Sequence, residues 1–385
     1  MKRKLIYVSF IKLTDNVLQY FFIDYNINKG AEVEYWDMTS LLRFDYHEMG
    51  ELDVDYLRHI ATYQVFDELL RLPENRDAVY VMMIGYVNRF IKPFRLLSNY
   101  NCKMVYMNEG DQPLTGVPVP IWQRVISRFY RNPFNFIKIF VDVTFLTLYK
   151  KLNIVKPFEI EFVVGEKLIS ANLHAKRVVP FNLTDFEYYK RAELSNDRIV
   201  DGKYALFLDS NEPYHSDNIG TNKKYPNPEK YFKSVNRFID LIEKSHKIKI
   251  VIAANPKSKY GAEKYENREF YRLLTPELAK NSEYIIVPYS SMAISYAILN
   301  FKPILFIYND QLQDVQPSMI EEMQGLASYL NIQIYNADLV THGSQVIIEP
   351  PSFENYDSYK YNYLTSYESE NASSAQIFWD EINAL

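Results

Sequence analysis

The chain has 385 residues, 48% hydrophobic and 24% charged, with a formal net charge of −5. At about 150 residues per domain this is two to three domains. The balance excludes a disordered chain, a collagen-like fibre, a coiled coil and a basic nucleic-acid binder. One cysteine, Cys102, excludes a disulfide framework and a multi-cysteine metal site and fits a reducing compartment.

The N-terminal half alternates short apolar runs with helical stretches. Lys4–Phe10 reads as a strand, and Thr14 and Asp15 offer an N-cap to a periodic stretch, 16–28, that Gly30 closes. Glu32–Trp36, Ala78–Ile84 and Lys103–Met107 follow as strands; the second is unbroken and apolar, as expected of a parallel strand buried on both faces. The segment 122–153 carries Arg124, Arg128, Arg131, Lys138, Lys150 and Lys151 against one acid, Asp142, mixed with five phenylalanines. Such a mixture suits either core helices with a solvated basic face or contact with an anionic membrane surface. Ile160–Val164 and Arg177–Pro180 read as strands and Asp185–Leu194 as a helix; 195–203 is polar and turn-rich and reads as an interdomain linker.

The pattern then restarts. Strands are expected at Tyr204–Leu208, Ile248–Ala253, Tyr284–Val287, Pro303–Tyr308, Ile332–Tyr335 and Val346–Ile348. Helices are expected at Glu229–Ser245, Phe270–Lys280, Met292–Asn300, Val315–Leu330 and Ser374–Ile382. The fold class expected is α/β, with two Rossmann-like doubly wound domains facing a cleft, 1–195 and 203–350, followed by a tail and helix over 351–385. No run reaches the roughly 20 apolar residues of a membrane span. The chain is therefore expected in the cytoplasm, associated at most with the inner face of the membrane.

Ligands of open α/β sheets bind at the carboxyl ends of strands, so the residues there are the candidates. Asn108, Glu109, Gly110 and Asp111 follow one strand; a carboxylate here can serve as a general base, and the same residue types also favour plain turns. Asn255, Pro256, Lys257, Ser258 and Lys259 follow another, offering an amide, a hydroxyl and two cations to a phosphate. Ser290 and Ser291 open a helix, where they can contact phosphate or simply cap. Asp209, Ser210, Asn211 and Glu212, with His215 beyond, follow the first strand of the second half, and Thr14 and Asp15 that of the first half. No G-x-G-x-x-G or P-loop occurs among only 11 glycines, and no D-x-D stands at a strand end. No metal site and no resident cofactor are expected.

Asn108-Glu109-Gly110, Asn255-Pro256 and Ser290-Ser291, in that order, resemble the acidic-Gly, His-Pro and Ser-Ser motifs of bacterial sialyltransferases and related GT-B glycosyltransferases. The stretch SSMAISYAILNFKPILFI resembles the donor-domain segment of capsule and lipopolysaccharide glycosyltransferases. The resemblance implies Glu109 as catalytic base, and Asn255, Pro256, Lys257, Ser290 and Ser291 at the phosphate of a nucleotide-sugar co-substrate, with a CMP-sugar as its type case. Asparagine stands here for the first acid, at 108, and for the histidine, at 255. The function expected is an inverting, metal-independent transfer to a glycan or lipid-linked acceptor in surface-polysaccharide synthesis. The rival expectations are an inactive two-domain binding protein of an assembly system and a nucleotide-sugar epimerase.

Overall fold

The computed structural model describes residues 3–42, 51–108, 133–169, 171, 174–214, 224–288 and 292–385. It divides into two compact units. One comprises the described residues up to Asn182 together with Tyr367–Leu385, the other Leu183–Ser366.

The first unit is built on β1 (Lys4–Ser9), β2 (Glu32–Asp37), β3 (Leu57–His59), β4 (Val79–Met82), β5 (Lys103–Asn108), β6 (Phe158–Val164) and β7 (Ala175–Phe181). They lie in the order β3-β2-β1-β4-β5-β6-β7, all parallel, with Leu5 opposite both Val33 and Val79. Continuous apolar strands are what two covered faces require. On one face Ile6, Val8, Trp36, Tyr80 and Met82 meet Phe66 and Leu70 of helix Tyr63–Arg71 and Phe94 and Leu97 of helix Ile91–Asn99. The Trp36 ring stands edge-on to Phe66 and Tyr80, with centroids 5.5 and 5.8 Å away. On the other face helix Ser374–Asn383 inserts Phe378 against Phe162 at 4.9 Å and Phe22 at 5.7 Å.

The second unit repeats the plan with β8 (Tyr204–Leu208), β9 (Lys249–Ala254), β10 (Phe270–Arg272), β11 (Ile285–Val287), β12 (Ile304–Tyr308) and β13 (Ile334–Asn336), in the order β10-β9-β8-β11-β12-β13, again all parallel. Ala205, Phe207, Ile250, Ile252 and Ile286 bury against Tyr231, Val235, Phe238, Ile239 and Ile242 of helix Pro228–His246. Pro228 occupies the first turn, where its missing N–H is harmless, and Asn227 caps by accepting from Lys230 N at 3.0 Å. The fold is thus α/β with two Rossmann-like domains, as the strand-helix rhythm implied.

Several elements differ from the sequence reading. The expected helix Phe270–Lys280 is strand β10 followed by helix Thr275–Asn281. Leu273 turns the chain at φ +59°, and Pro276 starts the helix that it could not have sat within. The stretch 16–28 is split by Phe22, at φ +59°, into helices Asp15–Tyr20 and Ile23–Asn28. The helix expected at Val315–Leu330 starts at Pro317, and a separate short helix, Asp310–Val315, precedes it. Val346–Ile348 is no strand: the Ile347 N–H goes to the Tyr335 hydroxyl at 3.2 Å instead of to a ladder. Strand β3 carries exposed Arg58 and His59, and so lacks the apolar run that would have announced it.

Candidate functional site

The strand order of the second sheet reverses between β8 and β11, and such a crevice outside the carboxyl ends is where open α/β sheets bind ligands. Asp209 follows β8 directly and is buried. Its carboxylate gathers the loops around it. Oδ1 accepts from Asn211 N at 3.0 Å and from the Tyr260 and Tyr265 hydroxyls at 2.8 Å each. Oδ2 accepts from Asn255 N at 3.2 Å and from the Tyr260 hydroxyl at 3.1 Å. Burial and the nearby Asp209 carboxylate push both phenols well above their ordinary value, so they remain donors. Asn211 sits in the left-handed region at φ +56°, which asparagine tolerates better than most residues.

Beyond β9, Asn255 is a turn former. Its Oδ1 accepts from Lys257 N at 2.9 Å, its Nδ2 donates to the Ser210 carbonyl at 3.5 Å, and its own carbonyl accepts from Ser258 Oγ at 2.9 Å. Arg272, at the end of β10, clamps this turn from outside: Nη1 donates to Ser258 O and Ser258 Oγ at 2.8 Å, and Nη2 donates to the Tyr260 carbonyl. Pro256, Lys257 and Lys259 stand exposed on the turn. The second unit therefore brings together Asp209, Ser210, Asn211, Asn255, Pro256 and Lys257. Ser290, Ser291 and His215 lie outside the described residues.

In the first unit Asn108 ends β5 and donates from Nδ2 to Glu161 Oε1 on β6 at 3.0 Å. Glu161 is buried, which raises its pKa against the opposing effects of Asn108 and Lys150; burial in turn lowers that of Lys150. An acid at 108, as the resembled motif has it, would set two carboxylates face to face here; asparagine donates instead. Glu109, Gly110 and Asp111 lie outside the described residues. Thr14 caps helix Asp15–Tyr20 by accepting from Val17 N at 3.4 Å, and Asp15 is exposed in its first turn.

Among the described residues Asp37, Glu51 and His59 could hold a metal, their ligand atoms lying within 4.8 Å of one another. His59 Nδ1 already pairs with Asp37 Oδ2 at 3.0 Å, and Lys12 pairs with Glu51 at 3.3 Å. A concavity of 480 Å³ at the start of helix Pro228–His246 is lined by Asn227, Phe232, Glu263 and Lys264, among others, and by none of the candidates above.

Sequence reasoning missed Glu161, Tyr260, Tyr265 and Arg272. A second acid deep inside the apolar run FEIEFVV, two residues after Glu159, was the one available signal, for Glu161. The tyrosines were indistinguishable among 33.

Two such sheets in one chain define the two-domain, GT-B-like architecture. CalG4, the calicheamicin glycosyltransferase, has the same fold: the match spans 100% of this chain and 98% of that one at 12% identity, with a TM-score of 0.52. Arabidopsis thaliana UGT89C1 is similar over 100% and 99% at 9% identity (TM-score 0.49). A putative UDP-N-acetylglucosamine 2-epimerase from Listeria monocytogenes is similar over 95% and 93% at 11% identity (TM-score 0.42). No protein-family model matches the chain, and no curated protein matches its sequence.

Proposed function

We propose that the protein is a nucleotide-sugar-dependent glycosyltransferase that acts by single displacement with inversion. The observation that carries this reading is positional. In a fold shared with CalG4, a glycosyltransferase, the described candidates Asp209, Ser210 and Asn211 stand just past the carboxyl end of β8 and Asn255, Pro256 and Lys257 just past that of β9, while Asn108 ends β5. In this reading the acceptor hydroxyl oxygen attacks the anomeric carbon while the bond from that carbon to the phosphate oxygen breaks. Glu109 takes the hydroxyl proton. Lys257, Ser290 and Ser291 stabilise the phosphate as it leaves with the bonding pair. Asn255 shapes the turn that presents Pro256 and Lys257. A donor of the CMP-sugar class follows from the motif resemblance.

The acceptor proposed is a glycan or lipid-linked glycan of surface-polysaccharide synthesis, met at the membrane surface. Helix Pro133–Lys151 supports this. It exposes Ile137, Phe140 and Val143 at 53, 64 and 56%. Thr144 and Thr147 fold their hydroxyls back onto the Phe140 and Val143 carbonyls, at 2.7 and 2.8 Å, which leaves that face apolar. No described helix is long and apolar enough to cross a membrane.

The test is titration with CMP, UDP, GDP and dTDP, followed by a transfer assay with the sugar form of whichever binds. Glu109→Gln should keep nucleotide affinity and lose turnover by 10²-fold or more, on the order of a general base's contribution. Full turnover in that variant would remove Glu109 from the mechanism. Binding without any transfer would favour the second reading, a binding protein, to which the engaged amide of Asn255 already lends support.

A further inference from the structure

We propose that Asp209 is a positioning residue of the donor site, bracing the loops after β8 and β9 without touching the ligand itself; this rests on the donor reading above. A carboxylate offers about four acceptor sites. Those of Asp209 already meet four protein donors, two main-chain N–H groups and two phenols, at 2.8–3.2 Å. The capacity left for a ribose or sugar hydroxyl is therefore small.

The donors come from separate places in the chain. Asn211 belongs to the loop after β8 and Asn255 to the loop after β9, while Tyr260 and Tyr265 follow that second loop. The carboxylate fastens the two loops to each other and to a floor of buried rings. Phe232 stands edge-on to both phenols, with centroids 5.2 and 5.5 Å away. Buried carboxyl groups are rarely left without partners, and here the partners tie down the two loops that carry Ser210 and Lys257. Arg272 holds the outer side of the same turn, so the loop after β9 is fixed from two directions.

Two conservative variants separate positioning from plain stability. Tyr265→Phe removes one donor to Asp209. Tyr204→Phe removes a buried hydrogen bond of similar kind, to Leu278 O at 2.7 Å, at the opposite end of the same strand. Both are compared in the full-length protein by hydrogen exchange and by calorimetry with CMP, UDP, GDP and dTDP. Tyr265→Phe should speed exchange at the Asn211 and Asn255 amides and weaken the bound nucleotide about tenfold, the effect of one good hydrogen bond. Tyr204→Phe should leave both unchanged while lowering the melting temperature by a similar amount. Equal nucleotide affinity in the two variants, with exchange at Asn211 and Asn255 unmoved by Tyr265→Phe, would overturn the proposal. Should wild-type protein bind none of the four nucleotides, the donor reading fails, and exchange at the two amides alone decides whether Asp209 braces the loops.

Discussion

Asp185, in the first turn of helix Thr184–Leu194, accepts a hydrogen bond from Ser295 Oγ at 2.8 Å. The neighbouring Tyr296 hydroxyl adds a second at 3.0 Å. Together they pin helix Ile294–Leu299, which follows in the chain directly after the segment that carries Ser290 and Ser291. The position of that helix thus depends on one partly buried carboxyl.

This carboxyl should make stability depend on pH. Burial outweighs the two hydrogen bonds and pushes Asp185 up from 3.8 to about 6. The native state then holds the proton more tightly than the unfolded chain. Stability is fullest below pH 4, falls as pH rises through about 6, and is level above that, a change of up to about 3 kcal/mol. Burial and, in smaller part, Asp185 itself raise Tyr188, Tyr296 and Tyr359, which stay neutral throughout. Denaturant titrations of wild type and Asp185→Asn between pH 4 and 8 should differ in slope within that window; parallel curves would refute the assignment.

Asn108→Asp should destabilise the protein at pH 7. The substitution replaces an amide donor with a second carboxylate 3.0 Å from Glu161. One of the pair must then take up a proton or separate, at about 1–3 kcal/mol. Acid should restore the loss as the pair gains a shared proton. A melting temperature equal to wild type at pH 7 and unchanged on acidification would show that the two groups do not meet in solution.

Arg272→Lys keeps the charge and loses the planar fork that reaches Ser258 and Tyr260 together. The turn over Asn255–Lys259 should loosen, with a stability loss of about 1–2 kcal/mol and a weaker grip on nucleotide. Urea midpoints and nucleotide titration measure the two effects side by side.

Phe378→Ala should be the most damaging of these changes. The ring is fully buried between Phe22 and Phe162. Losses on the order of 3–5 kcal/mol accompany such truncations. A shift in the denaturation midpoint of less than about 1 kcal/mol would mean that this helix is not docked as described.

Most of the sheet scaffold was legible because parallel strands buried on both faces are apolar throughout, as the short runs Ala78–Ile84 and Tyr204–Leu208 are. Elements whose identity depends on pairing partners were not legible. Strand β10 borrows its order from β9, and β3 from β2, and neither has a pattern of its own. In the site, strand ends could be read from sequence, so Asn108, Asp209 and Asn255 could be singled out. What those side chains do could not, because their partners Glu161, Tyr260, Tyr265 and Ser210 are set by tertiary placement. Asn255 read as a phosphate donor in sequence; in the fold its Oδ1 caps its own turn and its Nδ2 donates to the Ser210 carbonyl of the loop after β8.

The packing of helix Ser374–Asn383 into the first unit bears on how the chain is made. Arg3 donates to the Asn383 carbonyl across 380 positions, and Tyr25 bonds Gln376 across 351. The half synthesised first is therefore finished last. During synthesis the Phe22 and Phe162 face stays uncovered until Phe378 has been made, after every strand of the second unit.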